Sequence, residues 1–155
     1  MGQTVLIIDD SVEISDLLKD HLVSLGFTVH TAYDGKSGVE MARKHHPDVI
    51  TMDFNMPGAN GVQVYRKLRQ SPETSVIPII FLSSTITGII RRMVTESPLV
   101  RFVKKLSNIS EIERVIFEMV ALPKQAPPPP LPDGLSGQAS EEDELLWGKE
   151  EKPGK

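Results

Sequence analysis

Five short runs rich in apolar and β-branched residues, at positions 4–8, 27–31, 48–52, 78–82 and 100–103, punctuate the chain. Runs of four or five such residues read as buried strands. The stretches between them carry helical spacing instead. Val12, Ile14, Leu17, Leu18, Leu22 and Leu25 precede Gly26, a plausible carboxyl-terminal cap. A second helix is expected over 36–44, with Val39 and Ala42 on one face, and a third over 61–70, with Val62, Tyr65 and Leu68. A fourth is expected over 86–95, despite Gly88 and several β-branched residues. A fifth begins near Asn108, with Glu111 at capping-box spacing and a stripe of Ile109, Ile112, Val115, Ile116 and Met119. Strands alternating with helices predict an α/β fold: a three-layer sandwich with a five-stranded parallel sheet covered on both faces by five helices. Two-sided burial also explains why the runs are apolar without strict alternation.

The pattern stops after Leu122. Residues 1–122 are expected to form one domain, and 123–155 a proline-rich, acidic tail that is disordered or binds a partner. That tail holds seven of the twelve prolines, four of them consecutive from Pro127 to Pro130, a polyproline II signal. It also holds Glu141-Glu-Asp-Glu-Leu-Leu-Trp147, an acidic block beside an apolar trio. A formal net charge of -4 gives no basic footprint for nucleic acid. The chain has no cysteine, so disulfides and thiolate metal sites are ruled out. No apolar run approaches the roughly 18 residues of a membrane span, and no leader is readable. A cytoplasmic location without membrane insertion is the default expectation.

In open parallel sheets, binding groups gather at the carboxyl ends of strands. Here that rule selects Asp9 and Asp10 after the first run, Asp53 after the third, Ser83 after the fourth, and Lys104 and Lys105 after the fifth. Each of the first two acids taken alone reads equally well as a helix cap or loop former. If the first and third strands are neighbours, three carboxylates meet at one edge, which is costly unless a cation or protons compensate it, and oxygen ligands suit magnesium. With a hydroxyl donor and an ammonium on the same rim, the set is that of phosphoryl transfer onto a carboxylate.

Those motifs, Val5-Leu-Ile-Ile-Asp-Asp10, Asp48-Val-Ile-Thr-Met-Asp53-Phe-Asn-Met-Pro57-Gly58 with Gly61, Ile79-Ile-Phe-Leu-Ser83 and Phe102-Val-Lys-Lys105, closely resemble the receiver domains of bacterial two-component response regulators over roughly residues 3–121. The resemblance implies a flavodoxin-like strand order, 2-1-3-4-5, and a required Mg2+. It implies phosphorylation of Asp53 by a histidine kinase or histidine phosphotransfer protein. Asp10 and Asp53 are the implied carboxylate ligands, Asp9 a supporting acid acting largely through water, and the backbone carbonyl of Asn55 a further contact. Ser83 corresponds to the hydroxyl switch and Phe102 to the aromatic switch. Lys105, 22 residues after Ser83 and three after Phe102, is selected as the site lysine, with Lys104 the runner-up. The proline that usually follows that lysine is absent.

No output module follows the receiver-like part, so a stand-alone switch would signal through protein contact, to an effector or a phosphatase. The competing reading is a phosphorylation-independent adaptor that acts through its tail or its atypical 91–101 surface. Other groups have blander readings: His45-His46 as a solvated helix end, His21 and His30 as non-catalytic, Arg91-Arg92 as a solubilising face, and Phe102 alternatively as a core aromatic. Gly58 and Gly61 fit a tight loop near the acids.

Overall fold

The computed structural model describes residues 2–56, 61–84, 99–105 and 108–122. The expected helix at 86–95 with Arg91-Arg92, most of the 91–101 surface, Pro57-Gly58 and the tail lie outside the described residues. Five strands, β1 (Thr4–Ile8), β2 (Thr28–Ala32), β3 (Val49–Asp53), β4 (Ile79–Ser83) and β5 (Val100–Lys104), pair in parallel in the order β2-β1-β3-β4-β5. Around them lie helices α1 (Val12–Ser24), α2 (Gly35–His45), α3 (Gly61–Arg69), α4 (Pro72–Ser75) and α5 (Ile109–Val120). The result is the three-layer, flavodoxin-like sandwich.

Alternate residues of each strand enter opposite cores, and both cores are apolar. Leu6, Ile8, Ile50, Met52, Ile79 and Phe81 pack with Val39 and Ala42 of α2 and Val62, Tyr65 and Leu68 of α3. Val5, Ile7, Val49, Ile80 and Leu82 pack on the other face with Leu18 and Leu22 of α1 and Ile112, Val115, Ile116 and Met119 of α5. Strand residues without water on either side cannot show polar alternation, hence the unbroken runs.

The turns between elements are set by short-range chemistry. Ser11 is the N-cap of α1, its hydroxyl accepting from the Ile14 amide. The helix ends in a Schellman motif, in which Phe27 N–H donates to Leu22 O at 3.1 Å and Gly26 N–H to Val23 O at 3.0 Å. Gly26 takes a φ of 96°, a left-handed conformation that a side chain would disfavour. Asp34 caps α2 by accepting from the Ser37 amide at 2.7 Å. Asn108 caps α5, although its side chain accepts from Ser110 rather than the expected Glu111 amide. The single turn α4 escapes the sequence pattern because it is too short for periodicity; the Thr74 hydroxyl pins it to Leu68 O, and Arg69 Nη1 donates to Ile77 O at 2.9 Å.

Several strands run one residue later than expected. The ladder continues through Phe54 N–H to Leu82 O at 3.0 Å and Lys105 N–H to Ser83 O at 2.7 Å. Asp53 and Ser83 are therefore the last residues of β3 and β4, and Lys104 the last of β5, rather than residues just past them. Ladder bonds are indifferent to side-chain polarity, so apolar runs do not mark where a strand ends.

At the contact of α2 with β1, Gly38 has no room for a methyl group: a Cβ there would lie 2.6 Å from Ile8 Cδ1 and 3.0 Å from both Cγ atoms. Ile8 is fully buried and has no solvent to swing into. Gly38→Ala gains about 1 kcal/mol of helix propensity but meets an overpacking cost of about 1–3 kcal/mol. Urea unfolding should find it destabilised, and Ile8→Val, which removes Cδ1, should cost less in the Gly38→Ala background than alone.

Candidate functional site

At the carboxyl edge of the sheet, the parallel register brings together segments far apart in sequence. Ile8 faces Met52, Asp53 faces Leu82, and Ser83 faces Lys104. The next residues along β1 and β5 are Asp9 and Lys105. One ligand atom from each of Asp9, Asp10 and Asp53 lies within 4.8 Å of the others. Asp9 and Asp53 are buried, whereas Asp10 is exposed.

Lys105 spans the two buried acids. Its Nζ lies 3.0 Å from Asp53 Oδ2, 3.2 Å from Asp9 Oδ2 and 3.4 Å from Asp9 Oδ1. Two backbone amides complete the cradle, Ser11 N–H donating to Asp9 Oδ1 at 2.9 Å and Asn55 N–H to Asp53 Oδ1 at 3.2 Å. Asp9 thus does shape its loop, but the cap of α1 is Ser11, so neither Asp9 nor Asp10 is needed as a helix cap. Ser11 was legible as an N-cap, a serine before the apolar-periodic run, and its amide contact with Asp9 follows from that position.

The electrostatics are unbalanced. Burial pushes the Asp53 carboxyl above its ordinary value and the neighbouring Asp9 pushes it further; hydrogen bonding and attraction to Lys105 and the Asn55 amide offset only part of the rise. Burial pulls Lys105 down, but its hydrogen bonds and attraction to Asp53 and Asp9 outweigh that and leave the ammonium above its ordinary value. Asp9 Oδ2 is buried and makes no hydrogen bond, its contact with Lys105 being ionic only. Three convergent carboxylates, one with an oxygen lacking a hydrogen bond, are the hard-oxygen donor set that magnesium takes, so the residues fit that ion.

Ser83 is buried at the end of β4, one residue beyond the partner of Asp53 in register. Phe102 is half-buried and stacks on Phe81, ring centroids 5.3 Å apart, and Phe81 in turn meets Phe54 edge-on at 6.2 Å. Lys104 is exposed and Lys105 faces the acids. Gly61 sits where a Cβ would come within 3.0 Å of Phe54 Cα, so its lack of a side chain keeps α3 close under the loop after β3.

A family model described as the response regulator receiver domain matches residues 5–117. The chain belongs to the response regulator receiver domain family. Its cluster of Asp9, Asp10 and Asp53 with the Lys105 ion pairs matches the phosphoacceptor site of such domains. Among solved structures, it is similar to the chemotaxis protein CheY4 of Vibrio cholerae (24% identity, 77% of this chain and 99% of that one, TM-score 0.72). It is also similar to the receiver domain of a Francisella response regulator (22% identity, 77% and 97%, TM-score 0.66). A third similar structure is the receiver domain of a sensor histidine kinase from Pseudomonas aeruginosa, which carries a magnesium ion in its active-site cleft (24% identity, 79% and 100%, TM-score 0.70). At these identities the likeness to solved structures speaks for the fold.

The histidines take no part in the site. His21 Nε2 lies 2.9 Å from Glu113 Oε2 and joins α1 to α5. His45, read as solvated, instead stacks on His30, with ring centroids 3.7 Å apart. Burial, followed by His45, Lys19 and Lys44, holds His30 below its ordinary value.

Removing the ammonium should aggravate the imbalance. In Lys105→Met without divalent ions, the Asp53 carboxyl is expected to titrate at a higher pH than in the wild type, as followed by 13C NMR. The raised value also fixes a sign for stability. The folded state holds the Asp53 proton more tightly than the unfolded chain, so ionisation costs stability as pH rises from the ordinary value of 3.8 through the folded one. Metal-free Asp53→Asn should therefore unfold at higher denaturant than the wild type at pH 7, the advantage disappearing below pH 3.8.

Proposed function

We propose that the chain is a magnesium-dependent phosphorylation switch that accepts a phosphoryl group on Asp53 from a phosphohistidine, carried by a histidine kinase or a histidine phosphotransfer protein. The observation that carries this reading is Lys105 bridging Asp9 and Asp53 with Asp10 alongside, in a chain of the receiver family. Residues 1–122 constitute the switch and 123–155 an appended tail, and the protein works in the cytoplasm.

Asp53 Oδ attacks phosphorus, the bond to the histidine nitrogen breaks, and the donor imidazole leaves with that electron pair. The product is an acyl phosphate. The Asp10 and Asp53 carboxylates, Asp9 through water and the Asn55 carbonyl would hold magnesium, which would supply charge neutralisation for the transferring oxygens. Lys105 exchanges part of its contact with Asp53 for a phosphoryl oxygen, and the Ser83 hydroxyl donates to another. Positioning and electrostatics suffice for such a loose transition state. The same groups orient water for hydrolysis, so the chain is a switch with weak chemistry of its own and no metabolic substrate.

The new charge biases the surface around Ser83 and Phe102 between two arrangements, and so changes affinity for an effector protein or a phosphatase. Phe102 can act in this way because it is only half-buried on Phe81. No direct contact with nucleic acid is involved.

Incubating the full chain with magnesium and acetyl phosphate should add the mass of one phosphoryl group, labile in hydroxylamine, and none in Asp53→Ala. Lys105→Ala should slow the addition about a hundredfold, with Lys104→Ala near the wild-type rate. An adduct that survives Asp53→Ala would move the acceptor elsewhere. Magnesium alone, at a hundred times its Kd, should stabilise the folded chain by about 2.7 kcal/mol. Thermal melts of Asp10→Asn should lose most of that gain while keeping the fold.

A further inference from the structure

The opposite pole of the sheet carries a cavity that the phosphoacceptor chemistry does not use. It measures about 160 Å³, and its walls include His46, Pro47, Val76, Ile77, Met119 and Leu122. These residues come from the loops that lead into β3 and β4 and from the end of α5. An apolar cavity of about 150 Å³ takes up one benzene, so this one has room for a single large side chain. Its wall contains Leu122, the last residue of the described domain, so residues 123–155 depart from the cavity itself.

We propose that this cavity is the docking site of the chain's own carboxyl-terminal segment Leu145-Leu146-Trp147, with the Trp147 ring as the inserted group. Two observations favour this occupant. The first is reach. Trp147 lies 25 residues past Leu122, and that many residues reach at most about 80 Å when extended, well beyond the radius of gyration of roughly 14 Å for a domain of this size. Tethering at the rim gives the segment a millimolar effective concentration without further contacts.

The second is composition. Trp147 is the only tryptophan, and with Leu145 and Leu146 it forms the compact apolar trio beyond the domain.

The single tryptophan makes the test direct. In the full chain, Trp147 emission should be blue-shifted and several-fold less quenched by acrylamide than that of free N-acetyltryptophanamide, without change on dilution. Val76→Arg, which places a charge at the mouth of the cavity, should shift the emission to that of solvated indole. Leu146→Asp, outside the domain and harmless to its fold, should do the same and covers the case in which Val76→Arg fails to fold. Emission in the wild type equal to that of solvated indole overturns the proposal. So does a blue shift that persists in a folded Val76→Arg, which would put the ring elsewhere. A shift lost on dilution also overturns it, because the occupant would then be the tail of a second copy or a partner segment.

Discussion

The ion cluster of Asp9, Asp53 and Lys105 governs how the molecule is organised. Two carboxylates buried at one edge repel each other and resist desolvation, and one half-buried ammonium reconciles them only in part. The cluster sits at the edge of a frame held by two apolar cores. Each fully buried leucine or isoleucine in the two cores contributes about 1.5–3 kcal/mol over exposure. Strands clamped on both faces cannot retreat from one another to relieve the repulsion. The imbalance leaves the acidic edge suited to a cation, which would offset the carboxylate charge.

The sheet was legible in the sequence because two-sided burial leaves so distinct a mark, and its strand order followed from the family resemblance rather than from the runs. Strand ends were less legible. Asp53 and Ser83 join their strands through backbone bonds to Leu82 and Lys105, and no side-chain pattern reports these. The choice between Lys104 and Lys105 turned on spacing within the family motif, and the structure turns Lys105 to the acids while Lys104 remains exposed. The α4 turn was missed because four residues carry no period. Its support comes from Leu68 and Arg69 on the preceding helix.

Side-chain contacts across the fold were the least legible. His21 meets a carboxylate 92 positions away, and His30 finds the ring of His45 from a neighbouring element. Neither pairing leaves a local trace, because a tertiary contact constrains two distant residues and says nothing about the ones between them. The aromatic series Phe54, Phe81 and Phe102 is similar. Phe102 was open to two readings, a core aromatic and a switch. In the structure it packs against the core through Phe81 and is half-buried.

Every strand is five residues long, so the two poles of the sheet are separated by about 17 Å of hydrogen-bonded backbone. That exceeds the Debye length of about 8 Å at physiological ionic strength, and it exceeds the range over which substitutions couple when they share no neighbour. The length of the strands therefore makes the two ends of the molecule separate units of variation. Amino-acid changes at one end can accumulate, with nearly additive effects on stability, while the chemistry at the other stays fixed.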